Sequence, residues 1–248
     1  MMQKTQWTKL LVLGMCAAFT LQAKADRFIE REIPQMKTAP SIDGDLTEWA
    51  DVASFKLVAP SWMHKYDLSA KVWLAWDADN FYMAVKVYDE KFVNDNNPES
   101  GLYAGDQVRL RISAQPEAQD VNFGAADREV FISPTSANGQ PACTFKVGAE
   151  GLEVVAAEGG AFPWAVGTHD RGYTVECAIP VSLLGVDQFA KGSENITYSL
   201  AIYDRDTPDA NEWKTTHTRI SSSNVKKQPR EWPALRLSEN VLILKEDN

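Results

Sequence analysis

The chain has 248 residues, 44% hydrophobic and 24% charged, with 25 basic against 34 acidic side chains and a formal charge of −9. That is the composition of a globular chain with a sizeable core, which excludes disordered and collagen-like classes. An acidic chain without a basic cluster lacks the electrostatic footprint of a nucleic-acid binder, and the same balance argues against docking on anionic lipid.

Residues 1–25 read as an export signal. Lys4 and Lys9 mark its charged start, Leu10 to Leu21 is apolar, and Ala23-Lys24-Ala25 offers small residues for cleavage. As a helix the apolar run rises about 18 Å, too short for a bilayer. No later stretch is long and apolar enough to span, so no membrane insertion is expected after cleavage. The expected mature chain is one domain over 26–248, in a bacterial periplasm or outside the cell. A lipid anchor on Cys16 is the alternative, disfavoured by the bulky Met15 before it. Cleavage leaves Cys143 and Cys177, which permit either one disulfide or two buried thiols.

From there the dominant period is two. A strand is expected at 27–33, then a helical turn at Asp45-Leu46-Thr47-Glu48-Trp49 capped by Asp45. Val72, Leu74 and Trp76 share one face. After the turn Asp77-Ala78-Asp79-Asn80, Phe81, Met83, Val85 and Val87 share another, which predicts a hairpin. Val108, Leu110 and Ile112 alternate with Gln107, Arg109 and Arg111. Strands follow at 128–133, 143–147 and 151–157. Tyr173, Val175, Cys177 and Ile179 alternate in their turn, and Pro180 to Gly185 reads as a second short turn. Ile196, Tyr198, Leu200 and Ile202 form another strand, with more at 212–220 and 234–237. The polar run 221–227 reads as a long loop. Many short strands between polar turns predict an all-β, single-domain β-sandwich or jelly roll of antiparallel strands with one or two short helical turns.

Several chemistries are missing. No nucleophile elbow, HExxH, CxxC, Walker loop or dinucleotide fingerprint is present. His64, His169 and His217 stand in unrelated contexts, and no carboxylate pair rises above the background of acids. Aromatic rings are more informative, because they stack on the C–H faces of sugars. Trp49 and Trp76 read as core, Trp73 alternates away from Trp76, and Trp62, Trp164 and Trp213 fall in loops or near strand ends. Two acidic stretches, Asp89 to Asn97 and Asp204 to Asp209, offer hard oxygen ligands for a structural calcium. Asp89, Asn94 and Asp95 are the candidate ligands; the competing explanation is turn chemistry.

Taken together, five segments form an ordered series. They are Pro40-Ser41-Ile42-Asp43-Gly44-Asp45-Leu46-Thr47-Glu48-Trp49, the hairpin Lys71 to Asp89, Gly105-Asp106-Gln107-Val108-Arg109-Leu110, Gly172-Tyr173-Thr174-Val175-Glu176-Cys177-Ala178-Ile179-Pro180, and Trp232-Pro233-Ala234-Leu235-Arg236-Leu237. The series resembles family 9 carbohydrate-binding modules over nearly the whole expected mature chain. The resemblance implies a β-sandwich that binds poly- or oligosaccharide non-covalently, often with structural calcium. It also implies a sugar held between two tryptophans with charged groups on its hydroxyls. Carried over, the first tryptophan falls at Tyr103 and the Glu of the GDxVE strand at Arg109. The second tryptophan falls near Lys226, with Asn224 two positions before it. Arg109 suits hydroxyls or a carboxylate-bearing sugar. With Trp213 as a further ring, the candidate carbohydrate contacts are Tyr103, Arg109, Trp213, Asn224 and Lys226. The expected protein is exported, non-catalytic and carbohydrate-binding. The alternatives are a glycan hydrolase or lyase on the same sandwich, a haem-binding electron-transfer domain using Met63 and His64, and a fold kept for protein contacts.

Overall fold

A computed structural model describes residues 29–58, 68–120, 122–149, 151–206, 217–221 and 228–242. The expected signal at 1–25 lies outside them, as do Met63 and His64. Thirteen strands occur in the described chain: β1 Ile29–Met36, β2 Ser54–Val58, β3 Ser69–Trp76, β4 Asn80–Tyr88, β5 Gln107–Ser113, β6 Arg128–Ser133, β7 Ala142–Val147, β8 Leu152–Val155, β9 Trp164–His169, β10 Gly172–Pro180, β11 Ile196–Arg205, β12 His217–Ser221 and β13 Ala234–Leu242. Helical structure among the described residues is limited to short 3-10 turns, two of them at the expected places, Thr47–Asp51 and Val181–Leu184. The second ends on Gly185 at φ 78, a left-handed backbone that suits glycine. None of the described helices is long and apolar enough to cross a membrane.

Two antiparallel layers lie face to face. One runs β8-β7-β6-β5-β11, with β12 also paired to β11; the other runs β3-β4-β10-β9, with β2 added to β3. Between them the parallel pair β1–β13 turns the sheet from one layer into the other, touching β11 through Ile196 and Thr197 and β3 through Gln35. The predicted hairpin is β3–β4, closed in register at Trp76 and Phe81. Its turn is fixed by the Asp77 carboxylate, which accepts the N–H groups of Asp79 (2.8 Å) and Asn80 (2.7 Å).

The inward alternation of both layers meets in one core. Val72, Leu74, Trp76, Met83, Val85 and Val175 pack in the same cluster as Val108, Leu110, Ile112, Val130 and Leu200. Cys143 and Cys177 also lie inside it, as free thiols. Their burial raises both thiols well above the usual range, which leaves them unreactive. Trp164, expected near a strand end, opens β9, is 8% exposed and donates its indole N–H to the Val155 carbonyl at 3.0 Å. Every tryptophan with a described side chain is buried: Trp49, Trp73, Trp76, Trp164 and Trp232.

Candidate functional site

The two layers carry outer faces of different character. On β3, β4 and β10 the outer residues Trp73, Tyr82, Ala84 and Ala178 lie under the segment bearing Ile42, Leu46, Trp49 and Val52, forming a second apolar cluster. Glu176 fastens this segment down. Its carboxylate accepts the Trp49 indole N–H at 2.6 Å, the Gly44 N–H at 2.8 Å and the Asp43 N–H at 3.3 Å. Thr174 donates its hydroxyl to the Gly44 carbonyl at 2.6 Å. Gly44 has φ 88, and a Cβ there would lie 2.7 Å from the backbone nitrogen of Gly167, so no larger residue fits. Burial pushes the Glu176 carboxyl up to about 7, against the pull of its three N–H donors.

The outer face of β5, β6, β7 and β11 is instead rich in polar and charged groups. Arg109 and Arg111, which alternate with core residues Val108 and Leu110, each direct Nε at the same oxygen of Glu129, both at 2.6 Å. Arg109 also reaches that oxygen through Nη2. Its guanidinium lies 4.8 Å from the centre of the Phe131 ring and 6.0 Å from that of Tyr203. Tyr103 meets Phe131 edge to face at 4.9 Å and is 43% exposed, while Phe131 itself is buried. Burial raises the Tyr103 phenol, with the Glu129 charge adding to the effect and Arg109 and Arg111 opposing it. Gln107 and Thr144, on the same face in register with Tyr203 and Phe131, are fully buried. Both atoms of the Gln107 amide and the Thr144 hydroxyl lack a hydrogen-bond partner. An exposed ring beside guanidinium groups is an arrangement that can hold a polar, ring-shaped ligand.

At the end of the core, between the layers, three buried carboxylates converge. Asp89 follows β4, Asp106 precedes β5 and Asp204 lies in β11; one oxygen of each falls within 4.8 Å of the others. Asp106 accepts the Arg205 N–H at 2.8 Å and the Val93 N–H. Burial, and next the Asp89 charge, push its carboxyl up to about 9. The Tyr173 hydroxyl feels all three acids and has no hydrogen-bond partner. Three hard anionic oxygens with an idle hydroxyl suit a calcium ion, whose charge would offset their repulsion. A third feature is a groove of about 670 Å³ lined by Lys56, Lys71, Tyr88, Glu90, His169 and Arg171 among others. Its Tyr88 ring is already approached by Arg171 (5.3 Å), Lys86 (5.8 Å) and the His169 ring (5.3 Å).

The residues expected from sequence divide accordingly. Tyr103 and Arg109 come together against Phe131. Trp213, Asn224 and Lys226 lie outside the described residues. Of the calcium candidates, Asp89 joins the carboxylate trio. Asn94 sits beside it, donating its amide to the Asp106 carbonyl at 3.3 Å and to Ser133 at 3.1 Å. Asp95 is spent on Arg205 at 2.7 Å. Asp204 opens the second acidic stretch expected to offer calcium ligands but was not among the three candidates, and Asp106, Arg111 and Glu129 were not expected as site residues. The signal for Asp106 and Asp204 was present: Asp89, Asp106 and Asp204 each occupy an inward position of a strand's period, where an apolar residue is the rule.

The fold is a β-sandwich with one roofed outer face and one polar outer face that carries an exposed ring. The sequence profile described as "Carbohydrate family 9 binding domain-like" matches residues 42–239, and the chain belongs to that family. Among solved structures it is similar to a family 9 carbohydrate-binding module from Caldicellulosiruptor kristjanssonii in complex with cellotriose, with 17% identity, a TM-score of 0.61, and 84% of this chain and 94% of that one covered. The same organism's module in complex with glucose matches at 17% identity and TM-score 0.60, covering 88% and 98%. A putative carbohydrate-binding protein from Bacteroides uniformis ATCC 8492 matches at 14% identity and TM-score 0.53, covering 86% and 100%. No curated protein sequence matches the chain. At these identities the structures establish the shared fold, and family membership supports carbohydrate binding.

Proposed function

We propose that the chain is an exported, non-catalytic protein that holds a poly- or oligosaccharide on the outer face of β5, β6, β7 and β11. Tyr103 supplies the stacking surface, and Arg109 and Arg111 supply polar contacts. Asp89, Asp106 and Asp204 hold a calcium ion that ties the end of β4 to β5 and β11. Export by residues 1–25 puts the mature domain in the periplasm or outside the cell.

One observation carries this reading: among the described residues Tyr103 is the large aromatic side chain left 43% exposed, and it stands beside the Arg109 and Arg111 guanidiniums. The similarity to modules solved with cellotriose and glucose supports the same ligand class. Isothermal titration of the purified chain against neutral and uronic-acid oligosaccharides tests it. Saturable heat with at least one oligosaccharide, lost in Tyr103→Ala with the circular dichroism unchanged, is the expected result. Absence of heat across the panel overturns it.

A further inference from the structure

We infer that the Arg109 face selects acidic saccharides over neutral ones, a statement that rests on the carbohydrate-binding reading above and names its ligand class. The described outer strands place Arg109, Arg111 and Lys146 around a single acid, Glu129, which stands in register with Arg111 on β5 and with Lys146 on β7. One oxygen of Glu129 accepts both Nε groups, so one carboxylate serves two guanidiniums. The cationic excess lies on a chain whose formal charge is −9.

Neither guanidinium is fully solvated. Arg109 and Arg111 are each 18% accessible in their side chains, and Glu129 is 6% accessible. A half-buried cation loses much of its hydration, and a neutral sugar hydroxyl restores only part of it. A carboxylate or sulfate restores it with charge-assisted hydrogen bonds, and a carboxylate matches the planar fork of arginine with two parallel bonds. Arg111 has that fork to offer. Its Nε is committed to Glu129, while its two terminal nitrogens make no hydrogen bond to a described residue. The sugar ring then rests on the exposed Tyr103.

The groove beside Tyr88 is basic as well, with Lys56, Lys71 and Arg171 in its lining beside Asp89, Glu90 and Asp170, and with Lys86 near the Tyr88 ring. Burial separates the two regions: the Arg171 side chain is 74% accessible against 18% for Arg109 and Arg111, so it keeps more of its hydration and gains less from an acidic ligand.

The test titrates the full chain with an oligouronate, its methyl ester, a sulfated oligosaccharide and neutral cello-oligosaccharides of similar length. The expected result is at least tenfold tighter binding of the free uronate or the sulfated sugar than of the ester and the neutral sugars. That preference shrinks as salt rises and is lost in Arg111→Gln. Preference for the uronate alone, or for the sulfate alone, supports the inference and names the anion. Equal affinity for acid and ester overturns it while leaving carbohydrate binding intact, and this comparison needs no variant. Binding of none of the sugars overturns the carbohydrate reading, and the selectivity with it.

Discussion

The two outer faces of this sandwich are built on the same alternation and end in opposite states. On the β3–β4–β10 face, Trp73 and Tyr82 point outward and are then roofed by the segment that carries Trp49, with Glu176 as the fastening. On the β5–β6–β7–β11 face, Arg109, Arg111 and Glu129 point outward beside an exposed Tyr103. Aromatic content alone points to the roofed face, where Trp49, Trp73 and Tyr82 lie. The two faces differ in exposure: Trp73 and Tyr82 are buried under the roof, whereas Tyr103 is 43% exposed. The carboxylate of Glu176 has three donors, whereas Gln107 and Thr144 have buried atoms in reserve.

The largest effect should come from breaking the roofed face. Trp49→Ala removes a fully buried ring and the donor to Glu176, and should cost about 3–5 kcal/mol, read by urea or thermal unfolding. Tyr103→Ala on the other face should stay within about 1 kcal/mol of the parent because the ring is partly in water, yet should lose sugar binding. Comparable destabilisation by both variants would erase the distinction between the faces.

Next comes the carboxylate trio, which belongs to neither face but joins the layers. Asp106 follows Tyr103 by three residues, so an ion held by the trio would share a support with the Tyr103 ring. Chelation should lower Tm, by about 2.7 kcal/mol of stability where calcium had been present at a hundred times its Kd. Asp204→Asn should abolish that response. A Tm indifferent to both calcium and chelator would remove the ion from the account.

A smaller effect is set by pH. Glu176 titrates at about 7 in the fold against an ordinary value of 4.5, so between those values the fold retains a proton that the unfolded chain releases. Stability from this group is complete below pH 4.5 and is lost as pH rises through 7. In Glu176→Gln the slope between pH 4.5 and 7 should become shallower, measured as chemical denaturation midpoints from pH 4 to 8, with Asp106 supplying the remainder. An unchanged slope in the variant would assign the dependence to other groups.

Much of the fold was legible because strands advertise themselves locally. The hairpin 71–89 showed both its period and its Asp-rich turn, and the stretch ending in Pro180 showed its strand and the turn after it. Strands β2 and β9 were missed: Ser54–Val58 is a short edge strand, and Trp164–His169 contains Gly167 where bulk would meet Gly44. The site was less legible because its parts are distant in sequence. Glu176 meets Trp49 across 127 positions, and no local pattern announces such a contact. Arg109 could be aligned to a family position, but its sharing of Glu129 with Arg111 exists only once β5 and β6 are paired. Asp106 and Asp204 were visible in principle, as acids placed on the apolar side of a strand.

The central claim is that the ligand meets the Arg109 face and leaves the Tyr88 groove empty. Backbone NMR of the chain titrated with an oligouronate tests it most directly. The account predicts shift changes concentrated at Tyr103, Gln107, Arg109, Arg111 and Phe131, with Lys71, Tyr88, His169 and Arg171 undisturbed. Changes centred on the Tyr88 groove, with the Arg109 face silent, would contradict it.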